Sequence, residues 1–149
     1  MDNNNDHVLQ TIHTIAAPVA LVWQLWTQPE HIAHWWGPAG FTATIHTMDV
    51  LPGGEWKLTL HGPDGTNYPN RSIYADIVPM QKIEFEHFNP HFFTTVLFEP
   101  VGDATRINWS LLFDTPEMRD LIVKVHKADE GQRQNIEPLK TYVAQLMGT

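Results

Sequence analysis

Hydrophobic and polar residues alternate with a period of two along most of the chain, which predicts β-strands. The first such segment covers residues 7–15, and Pro18 then opens a helix. The apolar side chains of this helix recur at helical spacing: Val19, Val22, Trp23 and Trp26. Thr27 and Glu30 have the spacing of a capping box, so a second helix begins there and ends at Gly37-Pro38. The sequence therefore predicts one strand followed by two short helices in the N-terminal part of the chain.

Six further alternating segments follow, separated by turn signals. They are FTATIHTMDV, EWKLTLH, RSIYADIV, KIEFEHF, FFTTVLFE and TRINWSLLF. Pro-Gly-Gly at residues 52–54 and Gly-Pro-Asp-Gly at residues 62–65 are typical tight turns. Consecutive short strands with tight turns favour an antiparallel meander over βαβ units.

Helical spacing returns at the C-terminal end. Thr115 is a suitable N-cap and Pro116 a suitable first residue. Gly131 and Pro138 interrupt the apolar face, which predicts a kink or a split into two helices. The fold class predicted is α+β, with a curved antiparallel sheet wrapped around a long C-terminal helix. We expect residues 1–6 to be a disordered tail and residues 7–149 to form a single domain.

Composition narrows the classes of function. The chain has 149 residues, 42% of them hydrophobic, as in an ordinary globular protein. A net charge of −8 argues against nucleic-acid binding and against an anionic membrane surface. There is no cysteine, which excludes disulfides and thiolate metal sites. The polar, acidic start MDNNNDH is unlike a signal peptide, so we expect a cytoplasmic protein.

Motifs for catalysis or cofactor binding are absent from the sequence. It contains no G-x-S-x-G elbow, no P-loop and no dinucleotide fingerprint, so we expect no cofactor. His31 and His34 are three residues apart on the second helix and could share a metal ion. No third ligand accompanies them in the sequence, and we expect surface histidines and no metal site.

The strand phases suggest an interior with apolar and aromatic walls and few polar groups, chiefly His87 and Arg71. Such an interior is typical of a small-molecule pocket, whereas the alternative is a solid core in which a neighbour satisfies His87. Of the adjacent Trp35 and Trp36, we expect one ring to fill the core and the other to border the cavity; the alternative is that both are core. The candidate ligand-binding residues are Trp36, Phe41, Trp56, Leu58, Ile73, Phe85, His87, Val96, Phe98, Trp109 and Leu111.

Several short motifs of the sequence resemble those of one protein family in their order and spacing. They are Trp35-Trp36-Gly37-Pro38 with Phe41, Pro52-Gly53-Gly54 with Trp56, and His61-Gly62-Pro63-Asp64-Gly65. The chain thereby resembles the helix-grip superfamily of START-like and polyketide-cyclase-like domains (SRPBCC), in the branch of the heat-shock-protein-ninety ATPase activator homologues. It departs from the branch at Gln132, where a tryptophan is common, and at Pro138, where a polar helix former is usual.

The resemblance implies three functions of different classes. The first is binding of a small hydrophobic or aromatic molecule between the sheet and the C-terminal helix. The second is an enzyme of the cyclase, dehydratase or hydrolase kind in the same cavity, with His87 as the acid–base group. The third is interaction with a chaperone ATPase. Fold alone does not select among these functions. The absence of a catalytic motif favours binding over catalysis. The sequence leaves open whether the protein forms a homodimer.

Overall fold

The computed structural model describes residues 8–36, 40–88, 91–115, 117, 120 and 128–148, and the side chains of all of these except residues 128–135. In chain order its elements are Val8–Ile15 (β1), Val19–Thr27 (α1), Pro29–Ile32 (α2), Thr42–Met48 (β2), Glu55–His61 (β3), Asn67–Val78 (β4), Lys82–Phe88 (β5), Phe92–Val101 (β6), Ala104–Leu112 (β7) and Ala128–Met147 (α3). The predicted tail at residues 1–6, the Gly37-Pro38 break and the helix start at Pro116 lie outside the described residues.

The seven strands form one open antiparallel sheet in the order β1-β7-β6-β5-β4-β3-β2. After β1 the chain crosses through α1 and α2 to the far edge of the sheet and then meanders back until β7 pairs with β1. The predicted α+β class, the seven strands and the two short helices after β1 are confirmed. None of the described helices is long and apolar enough to cross a bilayer.

One face of the sheet, called here the inner face, carries Trp56, Phe85 and Trp109, each at most 3% exposed. Helix α1 packs on this face at β6 and β7. The helix buries Val22 and Trp26, as its sequence spacing predicts, while Val19 and Trp23 are only half-buried. Helix α1 therefore covers the part of the inner face that β6 and β7 form.

The Pro-Gly-Gly turn before β3 also positions the neighbouring strand β4. Gly53 has a φ of +83°, a conformation that side chains rarely adopt. A Cβ at Gly54 would overlap the carbonyl oxygen of Asp49, so glycine is required there. The Gly53 amide donates to Tyr74 O (2.7 Å) and the Tyr74 amide donates to Gly54 O (2.9 Å). This turn thus fixes Tyr74 of the inner face.

Helix α3 continues through Gly131 and Pro138 from Ala128 to Met147. Of the two predicted alternatives, the split into two helices is wrong for this stretch, whereas the kink stays a prediction. Proline removes one backbone donor, yet the buried face of the helix continues past it with Leu139 and Val143, after Ile136 on the near side. Helix α3 contacts β1.

Candidate functional site

Trp35 and Trp36 follow α2 and occupy different environments. Trp35 is 2% exposed, and its Nε1 donates to the backbone oxygen of Leu25 at 2.9 Å. Trp36 is only half-buried. The expectation that one of the two rings fills the core is confirmed for Trp35, whereas the border of a cavity at Trp36 stays a prediction.

Trp36 lies at the centre of four indoles, called here the tryptophan cluster: Trp26, Trp36, Trp56 and Trp109. Its ring centroid is 5.1 Å from that of Trp56, 5.7 Å from that of Trp26 and 5.8 Å from that of Trp109. The four rings come from α1, the segment after α2, β3 and β7, so the cluster exists only when the chain is folded. Tilted and offset contacts at these distances are favourable for aromatic rings.

Four polar groups in and beside this cluster are buried without a partner. The Nε1 atoms of Trp26, Trp56 and Trp109 and the Oγ1 atom of Thr94 form no hydrogen bond with any residue that the structure describes. Thr94 pairs with Phe85 across the strands, and the Phe85 ring lies 5.3 Å from Trp56. Each buried polar group without a hydrogen bond lowers the stability of a folded protein by about 1–3 kcal/mol. These four groups are therefore unfavourable for folding.

A polar end of the inner face adjoins Trp56. Ser72 pairs across the strands with Trp56 on one side and with His87 on the other. The Nε2 atom of His87 lies 2.9 Å from Oδ1 of Asn70. Because an amide oxygen only accepts, Nε2 is the donor in this bond. The His87 ring also stacks on Phe92, with centroids 4.5 Å apart.

Asn70, His87 and Phe92 are half-buried, unlike the residues under α1. On the other side of Trp56, Tyr74 stacks on the indole at 6.0 Å with the planes inclined by 9°. Burial raises the pKa of Tyr74, so its hydroxyl stays protonated at neutral pH. One end of the site is thus the tryptophan cluster with its buried indole N–H donors. The other end is more exposed and carries the polar side chains of Asn70 and His87.

The structure brings most of the predicted site residues together. The residues on the inner face are Trp56, Leu58, Phe85, His87, Val96, Phe98, Trp109 and Leu111, and Trp36 covers part of them. Phe98 lies beneath α1, against Trp23 and Trp26 at 5.3 and 5.9 Å. The Phe41 ring contacts Tyr68 at 5.8 Å. Among the described residues, the Phe41 ring makes no ring contact with the tryptophan cluster.

The inward assignment of Ile73 and Arg71 is wrong. Ile73 pairs with Glu55 and Glu86, which are the outer-face neighbours of Trp56 and Phe85. Arg71 is exposed on that outer face, where its Nε donates to Glu55 at 2.8 Å and its guanidinium covers the Phe88 ring. The residues of β4 that face inward are Asn70, Ser72 and Tyr74.

These inward residues of β4 were missed by sequence reasoning. The alternation of Tyr68, Asn70, Ser72 and Tyr74 is visible in the sequence, but Ile73 is more apolar than its two neighbours and suggested the opposite phase. The aromatic partners on β3 and β5 set the true phase, because Tyr74 packs against Trp56 and Phe85. Phe92 was missed as well, although it has the same phase in β6 as Thr94, Val96 and Phe98.

His31 and His34 make a helix–helix contact. Nδ1 of His31 lies 2.8 Å from the hydroxyl of Tyr142, and the His34 ring stacks on the same tyrosine at 5.1 Å. His31 thereby links α2 to α3, and His34, just after α2, adds a second contact to the same tyrosine. Within the described ranges, no three His, Asp or Glu side chains come together in the manner of a metal site.

Comparisons with known proteins agree on one family of folds. The model of the family described as activator of Hsp90 ATPase homolog 1-like protein matches residues 16–144. A crystal structure of a protein from Nitrosomonas europaea is 22% identical over 100% of both chains, with a TM-score of 0.88. One from Mycobacterium smegmatis is 22% identical over 98% of this chain and 96% of its own, with a TM-score of 0.87.

A third crystal structure, of the AHSA1 protein from Silicibacter pomeroyi, is 17% identical over 93% of this chain and 98% of its own, with a TM-score of 0.76. No curated protein matches the chain. At these sequence identities the solved structures establish the fold of this chain. The chemistry of its site has to be argued from the residues of the site itself.

Proposed function

The chain belongs to the activator of Hsp90 ATPase homolog 1-like family of the helix-grip superfamily, and on that premise we propose that its inner face binds a small, largely apolar molecule. The ligand lies between the tryptophan cluster and the polar end formed by Asn70 and His87, on the side of the sheet that faces the C-terminal helix. The predicted role is binding; catalysis by His87 is not part of this proposal.

The observation that carries the proposal is the incomplete burial of Trp36 over buried aromatic rings. Trp56 and Trp109 beneath it are 2% and 3% exposed, whereas Trp36 and, further along the face, His87 and Phe92 are half-buried. Apolar walls with a few convergent polar groups are typical of small-molecule sites. In this proposal the partly exposed Trp36, His87 and Phe92 border the space that the ligand occupies.

The proposal is tested with a neutral environment-sensitive dye, prodan, titrated into the native protein while energy transfer from tryptophan is followed. We expect saturable binding that Trp36→Ala weakens by about tenfold. The matched control is Trp23→Ala, because Trp23 is also half-buried but packs on Phe98 under α1. No saturable binding to the native protein, or equal weakening by both variants, would contradict the proposal.

A further inference from the structure

We propose that the ligand carries a neutral carbonyl-type oxygen that accepts hydrogen bonds from the unpaired donors of the inner face. This inference rests on the proposed function, since it assigns the chemical class of the same ligand. The donors are the indole N–H groups of Trp56 and Trp109, with Trp26 and the hydroxyl of Thr94 beside them.

An indole nitrogen can donate but cannot accept. The three unpaired N–H groups therefore cannot form hydrogen bonds to one another's nitrogen atoms. The hydroxyl oxygen of Thr94 could accept, but it forms no hydrogen bond to any of them. An oxygen atom of a ligand would supply a further acceptor. An oxygen with two lone pairs can accept from two of these donors at once.

Trp35 shows that this fold can satisfy an indole when no ligand is involved. Its ring lies 4.9 Å from Trp26 and 5.4 Å from Trp36, and its Nε1 is bonded to Leu25 O at 2.9 Å. The same residue type in the same neighbourhood is thus paired at Trp35 and unpaired at Trp26, Trp56 and Trp109. All three unpaired indoles contact Trp36, the ring at which we place the ligand.

The charges around the site favour a neutral acceptor over a carboxylate. The arginine of β4, Arg71, lies on the outer face and is paired with Glu55. Lys57 of β3 is exposed on that same face, opposite Arg71 in the strand register. A carboxylate on the inner face would be buried away from both cations, and burying an unpaired charge is far more costly than burying a carbonyl.

The test compares two ligands of nearly equal shape, 2-acetylnaphthalene and 2-isopropylnaphthalene, which differ by a carbonyl oxygen in place of a methyl group. The quantity measured is the ratio of their dissociation constants, ketone to hydrocarbon, by fluorescence titration of the whole chain. We expect Trp56→Phe or Trp109→Phe to raise this ratio at least fivefold, because each removes an N–H donor and keeps an aromatic ring. Trp35→Phe is the matched control and should leave the ratio unchanged, because its N–H is already paired within the protein.

The outcomes separate this inference from the proposed function. If both ligands bind and the ratio is the same in all variants, the acceptor assignment is wrong and the apolar site stands. If neither ligand binds the native protein, the proposed function fails and the assignment fails with it. The infrared carbonyl stretch of 2-acetylnaphthalene bound to the unmodified protein gives the same answer without substitutions: a lower wavenumber than in hexane supports the hydrogen bond, and an unchanged wavenumber overturns it.

Discussion

Nδ1 of His31 lies 2.8 Å from the hydroxyl oxygen of Tyr142, so a residue of the short helix α2 is tied to the C-terminal helix α3. Trp36 follows α2, and its amide donates to the backbone oxygen of Ile32 within that helix. The contact between His31 and Tyr142 therefore helps to place the half-buried indole over the inner face.

Removing this hydroxyl tests the link between the two helices. Tyr142→Phe should lower the free energy of unfolding by about 0.5–1.5 kcal/mol, because it deletes one partly buried hydrogen bond. Urea denaturation measures the change. Tyr68→Phe is the control, since Tyr68 is 44% exposed and should give no measurable loss. Equal losses for the two variants would show that the Tyr142 hydroxyl contributes nothing specific.

The adjacent tryptophans should differ in their contribution to stability. Trp35→Ala should cost about 3–5 kcal/mol, the usual loss for a fully buried tryptophan. Trp36→Ala should cost less than half as much, because part of its ring is exposed to solvent. Chemical denaturation of the two variants gives the comparison. A loss at Trp36 as large as that at Trp35 would make both rings ordinary core residues.

His91 predicts a pH-dependent contribution to stability. Its two ring nitrogens contact Glu86 at 2.6 Å and Asp114 at 3.0 Å, and these hydrogen bonds raise the pKa of His91 above 6.5. The folded-state pKa thus exceeds the unfolded one, so the contribution is fully present below about pH 6.5 and is lost as the pH rises through the raised pKa.

The measurement is the difference in unfolding free energy between the native protein and His91→Gln. We expect a larger difference at about pH 5.5 than at about pH 8.5. Taking the difference cancels the other titrating groups, including His13, whose pKa burial lowers. A difference that is constant with pH, or that grows as the pH rises, would contradict the assigned ion pairs.

Pro138 stands inside the continuous helix α3 and should reduce its stability. Proline in a helix interior costs about 3 kcal/mol relative to alanine, because one donor is missing and the ring crowds the preceding turn. Pro138→Ala should therefore raise the thermal midpoint or leave it unchanged. Gln145→Ala, at an exposed position of the same helix, controls for a general effect of alanine. A marked drop in the midpoint would show that the proline is fitted to its surroundings.

The alternation of residues and the turn signals predicted the strands and their meander, because both are local properties of the sequence. The phase of β4 was not predictable in this way. Ile73 is the most apolar residue near the middle of that strand, yet it faces outward because Tyr74 stacks on Trp56. Only the neighbouring strands decide which of two adjacent residues is buried.

The unpaired donors could not be predicted from the sequence at all. Trp35 and Trp109 are the same residue type, and both are almost fully buried. Whether an indole N–H meets an acceptor depends on which backbone oxygen the fold brings to it, and the sequence does not encode that locally. Nor did the sequence show that α3 would continue through Pro138.

Indole N–H resonances test most directly whether a small apolar molecule binds at the tryptophan cluster. In a ¹⁵N–¹H correlation spectrum with signals assigned from single Trp→Phe variants, 2-acetylnaphthalene should shift the Nε1 signals of Trp36, Trp56 and Trp109 saturably. The Nε1 signal of Trp35, held by Leu25 O, should move far less. If no indole signal moves up to the solubility limit of the ligand, or if Trp35 and Trp23 respond as strongly as the cluster, the inner face does not hold the ligand as proposed.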